Sequence, residues 1–296
     1  MCDNHATDRD AAAQLDAILA KRGITRRQFS AVGAAIAIAA CAPHERATAN
    51  EGLAESMVSI ATPDGEADAF FVHPATGKHP AVIMWPDVAG LRDAYKVMAR
   101  RLATAGYAVL VPNAYYRDSK APVLTSLSQW FEPEHQARIK PMLAKIDGKM
   151  IAQDARTYAD WLDGQDSVDI ERRIGTSGYC MGGAYAVRTA AAASTRIGAV
   201  CSFHGSRLVT QDADSPHTLI AATQARYLFA IGKDDDAKAP EEKTILKQVT
   251  DDAGRPAEIE VYPADHGWCT IDAPSYDKAA AEKAWARMLA TYATAL

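Results

Sequence analysis

Long apolar runs are missing from this chain. None reaches the ~18 residues that an ordinary spanning helix needs, so no segment reads as one that crosses a membrane. Basic blocks are missing too. With a net charge of −5 and no cluster of lysines and arginines, the chain lacks the electrostatic footprint of a nucleic-acid binder. Cysteine is sparse: five residues (Cys2, Cys41, Cys180, Cys201, Cys269) in 296 do not make a disulfide framework. The histidines show no metal-ligand spacing and no His-Glu-x-x-His helix, which disfavours metal catalysis and implies no cofactor. Internal repeats and linkers are absent as well. What remains is 48% hydrophobic and 23% charged, the composition of an ordinary soluble globular domain.

One stretch stands out from this background. Arg172 to Tyr179 ends an extended run in Gly178-Tyr179-Cys180-Met181-Gly182-Gly183, and an Ala-rich helical segment follows from Met181 to about Ala193. This is the layout of a nucleophile elbow, with cysteine where hydrolases more often carry serine. Side chains at the three glycine positions would collide with the neighbouring strand and helix. The turn also puts the thiol at a helix N-terminus, where partial positive charge and free N–H groups favour a thiolate. The plainer alternative is a glycine-rich turn around a small buried cysteine.

The first fifty residues read as a separate segment. Thr25-Arg26-Arg27-Gln28-Phe29-Ser30 precedes the short, weakly apolar run Ala31 to Ala40. A polar leader, paired arginines, a phenylalanine and a modest apolar region together make a twin-arginine signal, addressed to the twin-arginine export machinery and an exported, periplasmic destination. Two exits fit. Ile38-Ala39-Ala40-Cys41 is a lipoprotein-type box that would leave Cys41 lipidated and membrane-anchored. Ala47-Thr48-Ala49 is a small-x-small cleavage site before Asn50, and the polar segment from Ala42 to Ala49 favours it. The domains are therefore residues 1–49, a leader, and residues 50–296, one globular domain.

From residue 53 onward strands and helices alternate. Strands are expected at Met57–Ile60, Ala67–His73, Ala81–Trp85, Tyr107–Val111, Ile174–Tyr179, Ile197–Phe203, Ala225–Ile231 and Ala257–Tyr262. Helices are expected at Ala94–Ala105 with Gly106 as C-cap, Ile151–Leu162, Met181–Ala193, Glu241–Ala253 and Tyr276 to the end. The spacing predicts an α/β fold: a mostly parallel central sheet with helices on both faces. Sites in such sheets gather beyond the C-terminal ends of the strands. Asp234, Asp235 and Asp236 follow the strand ending Ile231-Gly232, and His266 follows the strand ending Val261-Tyr262-Pro263. Nucleophile, acid and base thus occur in hydrolase order. The imidazole would take the thiol proton and return it to the leaving group, while an aspartate holds the ring and stabilises the imidazolium.

These motifs resemble those of the dienelactone hydrolase family of α/β-hydrolases. The likeness runs over residues 53–296 and rests on Gly178-Tyr179-Cys180-Met181-Gly182-Gly183, Gly232-Lys233-Asp234-Asp235 and His266-Gly267-Trp268. Upstream, Pro86-Asp87-Val88-Ala89-Gly90-Leu91 and Val111-Pro112-Asn113-Ala114-Tyr115-Tyr116-Arg117 match two further family segments. The resemblance implies the α/β-hydrolase fold and a triad of Cys180, Asp235 and His266. It also implies an oxyanion hole from the N–H groups of Met181 and Val88. In the substrate site it implies Asp87 where relatives carry glutamate near the resting thiol, and Arg117 as a carboxylate contact. Thr270 stands where dienelactone-acting relatives have a second arginine. The expected activity is hydrolysis of a small-molecule ester or lactone through an acyl-thioester. The alternatives are a general short-chain carboxylesterase and an exported binding module that keeps the fold without turnover.

Overall fold

The computed structural model describes residues 52–296; the expected leader, Arg26, Arg27 and Cys41 lie outside the described residues. Eight strands form one sheet in the order β1-β2-β4-β3-β5-β6-β7-β8. They are β1 Leu53–Thr62, β2 Gly65–Pro74, β3 Ala81–Trp85, β4 Ala108–Pro112, β5 Ile174–Tyr179, β6 Ile197–Phe203, β7 Arg226–Gly232 and β8 Ala257–Tyr262. β1 and β2 form an antiparallel hairpin, β2 joins β4 antiparallel, and all later pairings are parallel. This is the α/β-hydrolase fold.

The helices are α1 Asp93–Thr104, α2 Pro133–Lys145, α3 Gly148–Asp163, α4 Met181–Ala192, α5 Pro216–Leu219, α6 Lys233–Lys238, α7 Glu242–Asp252 and α8 Lys278–Ala295. Two hydrophobic clusters cover the two faces of the sheet, because successive strand residues point to opposite sides. Ile83, Trp85, Leu110, Ile174, Val200 and Phe229 pack with Ile139 of α2, Tyr158 of α3, Val187 of α4 and Leu246 of α7. Val82, Met84, Val109, Cys201 and Leu228 pack with Tyr95 and Leu102 of α1 and Met288 of α8. Burial on both sides is why β3, β4, β6 and β7 read as near-continuous apolar runs rather than alternating ones.

The sheet follows the sequence expectation closely, and three differences matter. The hairpin strands are longer at both ends than their apolar cores suggested. Asp234, Asp235 and Asp236, expected directly after β7, form the first turn of a short helix, α6, that the sequence did not predict. The segment between β4 and α3 carries an unexpected helix, α2, preceded by a 3-10 turn at Leu127–Phe131. Pro133 opens α2 at a position where proline is tolerated, but Pro141 lies inside it, where proline ordinarily breaks a helix. Among the described residues no helix is long and apolar enough to cross a membrane.

Candidate active site

The β5–α4 junction holds Cys180 in a backbone conformation rare for any residue but glycine, at φ 55° and ψ −120°. Close packing fixes this turn. A Cβ on Gly178 would lie 1.8 Å from the Gly182 carbonyl oxygen, and one on Gly182 would lie 2.5 Å from the carbonyl oxygen of Trp85. The first turn of α4 therefore lies directly on the end of β3. Trp85 strengthens the contact, its indole donating to Thr189 Oγ1 of α4 at 2.9 Å. Cys180 is half-buried, whereas the other described cysteines, Cys201 and Cys269, are buried with thiol pKa values pushed upward by burial.

The structure brings His266 and Asp235 together beyond the ends of β8 and β7. His266 Nδ1 donates to Asp235, with both carboxylate oxygens 2.9 Å away. That leaves Nε2 for the thiol. Burial disfavours the charged ring, but hydrogen bonds to Asp235 and Cys180 outweigh it and hold the His266 pKa at about 10. The three adjacent aspartates separate by partner. Asp234 Oδ1 accepts the His266 backbone N–H at 2.7 Å, which pins the loop that carries the ring. Asp236 pairs with Lys243 at 2.6 Å, away from the imidazole.

Val88 and Met181 meet beside Cys180 on the wall of one cavity of about 590 Å³. Among the described residues, no loop or turn hydrogen bond takes up the N–H groups of Val88 and Met181. The Val88 loop is held from both ends. Tyr115 Oη donates to the Val88 carbonyl at 2.8 Å, and Asp87 Oδ1 accepts the Ala89 N–H at 2.9 Å.

Asp87 and Arg117, expected at the substrate, lie elsewhere. Asp87 is 1% exposed, and its two oxygens meet Arg92 at 2.7 and 2.9 Å. Arg92 is equally buried and grips Asp272, in the loop after His266, at 2.8 and 2.7 Å. One guanidinium thus joins the Val88 loop to the histidine loop, bidentate on both sides. Arg117 binds Asp154 at 2.8 and 2.9 Å and Asp64 at 2.7 and 3.0 Å, and it does not line the cavity. The arginines that do are Arg188, paired with Asp214 at 3.0 Å, and Arg207, paired with Asp212 at 3.3 Å. Trp130, Leu143 and Ile146, from the unexpected α2 region, supply an apolar wall.

A model of the dienelactone hydrolase family matches residues 67–296. The chain belongs to that family. Among curated proteins it is similar to a "Putative carboxymethylenebutenolidase" of Salmonella typhimurium, 27% identical over 88% of this chain and 95% of that one. It is also similar to the protein of the same name in Escherichia coli (strain K12), 26% identical over 82% and 88% of the two chains. A solved "Putative Dienelactone Hydrolase" from Klebsiella pneumoniae subsp. pneumoniae shares the fold with a TM-score of 0.70. It is 24% identical, and the match covers 81% of this chain and 98% of that one. The family match spans the elbow, both partner loops and the residues that line the cavity.

Two residues of the surrounding structure carry no sequence signal of their own or were not singled out by it, Arg92 and His204. Arg92 carries no motif, since its partners come from distant loops. His204 directly follows β6, and the strand-end rule that drew in Asp234 to Asp236 and His266 applies equally to it.

Proposed function

We propose that this dienelactone hydrolase family member cleaves esters and lactones through Cys180, His266 and Asp235. The observation that carries the reading is the pairing of His266 with Asp235 beside a cysteine held at positive φ on a strand-to-helix turn. His266 takes the Cys180 proton, and the thiolate attacks the substrate carbonyl. The N–H groups of Val88 and Met181 receive the oxyanion, a contribution of roughly 3–4 kcal/mol per donor in comparable sites. Collapse breaks the C–O bond and leaves an acyl-thioester, while the His266 imidazolium gives its proton to the departing oxygen. Water, deprotonated by His266, then attacks the thioester and releases the acid. In a lactone the departing oxygen stays attached to the acyl group, so the product is a single hydroxy acid.

The cavity suits a small acyl group against Trp130, Leu143 and Ile146, and its lining also includes Arg188, Arg207, Asp212 and Asp214. Both arginines there already have aspartate partners, which favours neutral esters alongside anionic lactones. The test is turnover of activated short-acyl esters and of carboxylated and neutral lactones by wild type, Cys180→Ala and Asp235→Asn. Cys180→Ala is expected to abolish turnover with the fold intact, and Asp235→Asn to reduce it less. Near-normal activity of Cys180→Ala on any good substrate would sink the mechanism. Residues 1–49 are proposed to direct twin-arginine export of the folded enzyme to the periplasm, with cleavage before Asn50.

A further inference from the structure

His204 sits behind the thiol–imidazole pair with two unfavourable features and no role in the mechanism above. Its backbone is left-handed, at φ 38°, although it is neither glycine nor asparagine. Its side chain is 1% exposed, and Nε2 has no hydrogen-bond partner among the described residues. A phenylalanine would fill the same space without an orphaned nitrogen, so the ring needs a reason to be imidazole. The reason lies at Nδ1, which accepts the Cys180 backbone N–H at 3.1 Å. That N–H is shared with the Phe203 carbonyl, also at 3.1 Å, while the N–H of His204 itself donates to the Ala230 carbonyl at 2.7 Å.

The ring also packs edge-on against His266, with centroids 4.9 Å apart, and against Trp268 at 6.0 Å. His204 therefore touches both proposed partners of the reaction, the backbone of the nucleophile and the imidazole of the base. The titratable groups around it are Cys180 and Tyr179 on the elbow, His266 after β8 and Asp234 on α6. Accepting at Nδ1 fixes the proton on Nε2 and keeps the ring neutral. A second positive charge there would oppose the His266 imidazolium and break the bond to Cys180.

We propose that His204 is a positioning residue: its neutral imidazole, accepting from the Cys180 N–H and packed on the His266 ring, aligns thiol and base. This rests on the thiol–imidazole reading of the site. The elbow by itself fixes where the sulfur's backbone goes, and His266–Asp235 fixes one edge of the base. His204 sets the two relative to each other, so its loss should act on the chemical step more than on binding.

The variants that test this are His204→Phe, His204→Asn and His204→Gln. Phenylalanine keeps the ring and removes the acceptor. Asparagine places an amide oxygen where Nδ1 was and tolerates positive φ. Glutamine places its amide one bond farther, near the old Nε2. The readouts are kcat and KM per active site counted by iodoacetamide trapping, and the pH titration of the thiolate by its ultraviolet absorbance. His204→Phe is expected to lose roughly ten- to a hundredfold in kcat with KM nearly unchanged, and to titrate its thiolate at a different pH. His204→Asn should recover most of the rate and the wild-type titration; His204→Gln should not. Wild-type kcat per trapped site in His204→Phe, or equal rates in the Asn and Gln variants, would overturn the proposal. Should His204→Phe not fold, the comparison of Asn with Gln decides alone. If wild type alkylated at Cys180 stays active, the nucleophile assignment fails; if alkylation abolishes activity and the variants are indistinguishable, only the role of His204 fails.

Discussion

Single side chains at this site are decided by who their neighbours are. The three consecutive aspartates look alike along the chain, yet Asp234 takes a backbone N–H, Asp235 an imidazole and Asp236 a lysine. His266 shows what such a neighbour does. Asp235 and Cys180 overcome the effect of burial and raise its pKa to about 10 from an ordinary value of 6.5. The ring thus keeps its proton across neutral pH. kcat/KM is expected to fall as pH rises through about 10, where the ring loses the proton destined for the leaving group. Asp235→Asn should move that alkaline limb to lower pH. The same shift stabilises the fold fully below pH 6.5, and the gain disappears as pH rises through about 10. Arg117 provides a second prediction at this scale. Held by Asp154 and Asp64, it should not read substrate charge. Arg117→Ala should leave the ratio of kcat/KM for a carboxylated lactone and a matched neutral ester unchanged. Arg188→Ala should change that ratio. A loss confined to the anionic substrate in Arg117→Ala would return the carboxylate contact to Arg117.

At the scale of elements, the parts written in local pattern were legible and the parts written in long-range contact were not. β3 and β6 match their apolar runs residue for residue, because a strand buried on both faces leaves an uninterrupted hydrophobic stretch. The elbow was legible since Gly178, Gly182 and Gly183 all lie within one six-residue stretch around Cys180. Helix α2 was not: Pro141 argues against a helix, and what holds α2 is Ile139 in the core, a contact invisible to local propensity. The cavity wall formed by Leu143 and Ile146 was missed with it. Arg92 was equally hidden. Its meaning comes from Asp87 and Asp272, five and 180 positions away. Removing it would leave a buried Asp87 carboxylate without its counter-ion, a loss of about 3–5 kcal/mol. Arg92→Leu is therefore expected to lower the melting temperature sharply and to reduce kcat in whatever folds. Urea denaturation and turnover measured on the same preparation check both. A variant of unchanged stability would mean that Asp87 finds another partner.

At the scale of the whole domain, Cys180, Asp235 and His266 all follow the C-terminal ends of parallel strands, β5, β7 and β8. The proposed leader supplies a prediction at this scale. Arg26→Lys with Arg27→Lys should keep the protein in the cytoplasm with its leader uncleaved, as judged by fractionation and intact mass. Export unchanged by the double replacement would mean a different route. The intact mass of the exported form would also separate cleavage before Asn50 from lipidation at Cys41.

The hairpin that begins the sheet has a consequence for how the domain can be attached to anything. β1 starts at Leu53, paired with Pro74, and β2 runs antiparallel to β4, with Val72 opposite Val109. Leu53 therefore enters at the end of the sheet where the parallel strands begin, whereas Cys180, Asp235 and His266 follow strands that have finished. The other terminus arrives at the same end. The Leu296 carbonyl accepts from Arg172, just ahead of β5, and the Ala295 carbonyl lies beneath Gly198. A fusion partner or solid support joined directly at Leu53 or at Leu296 would hold the domain at the end away from Cys180, Asp235 and His266.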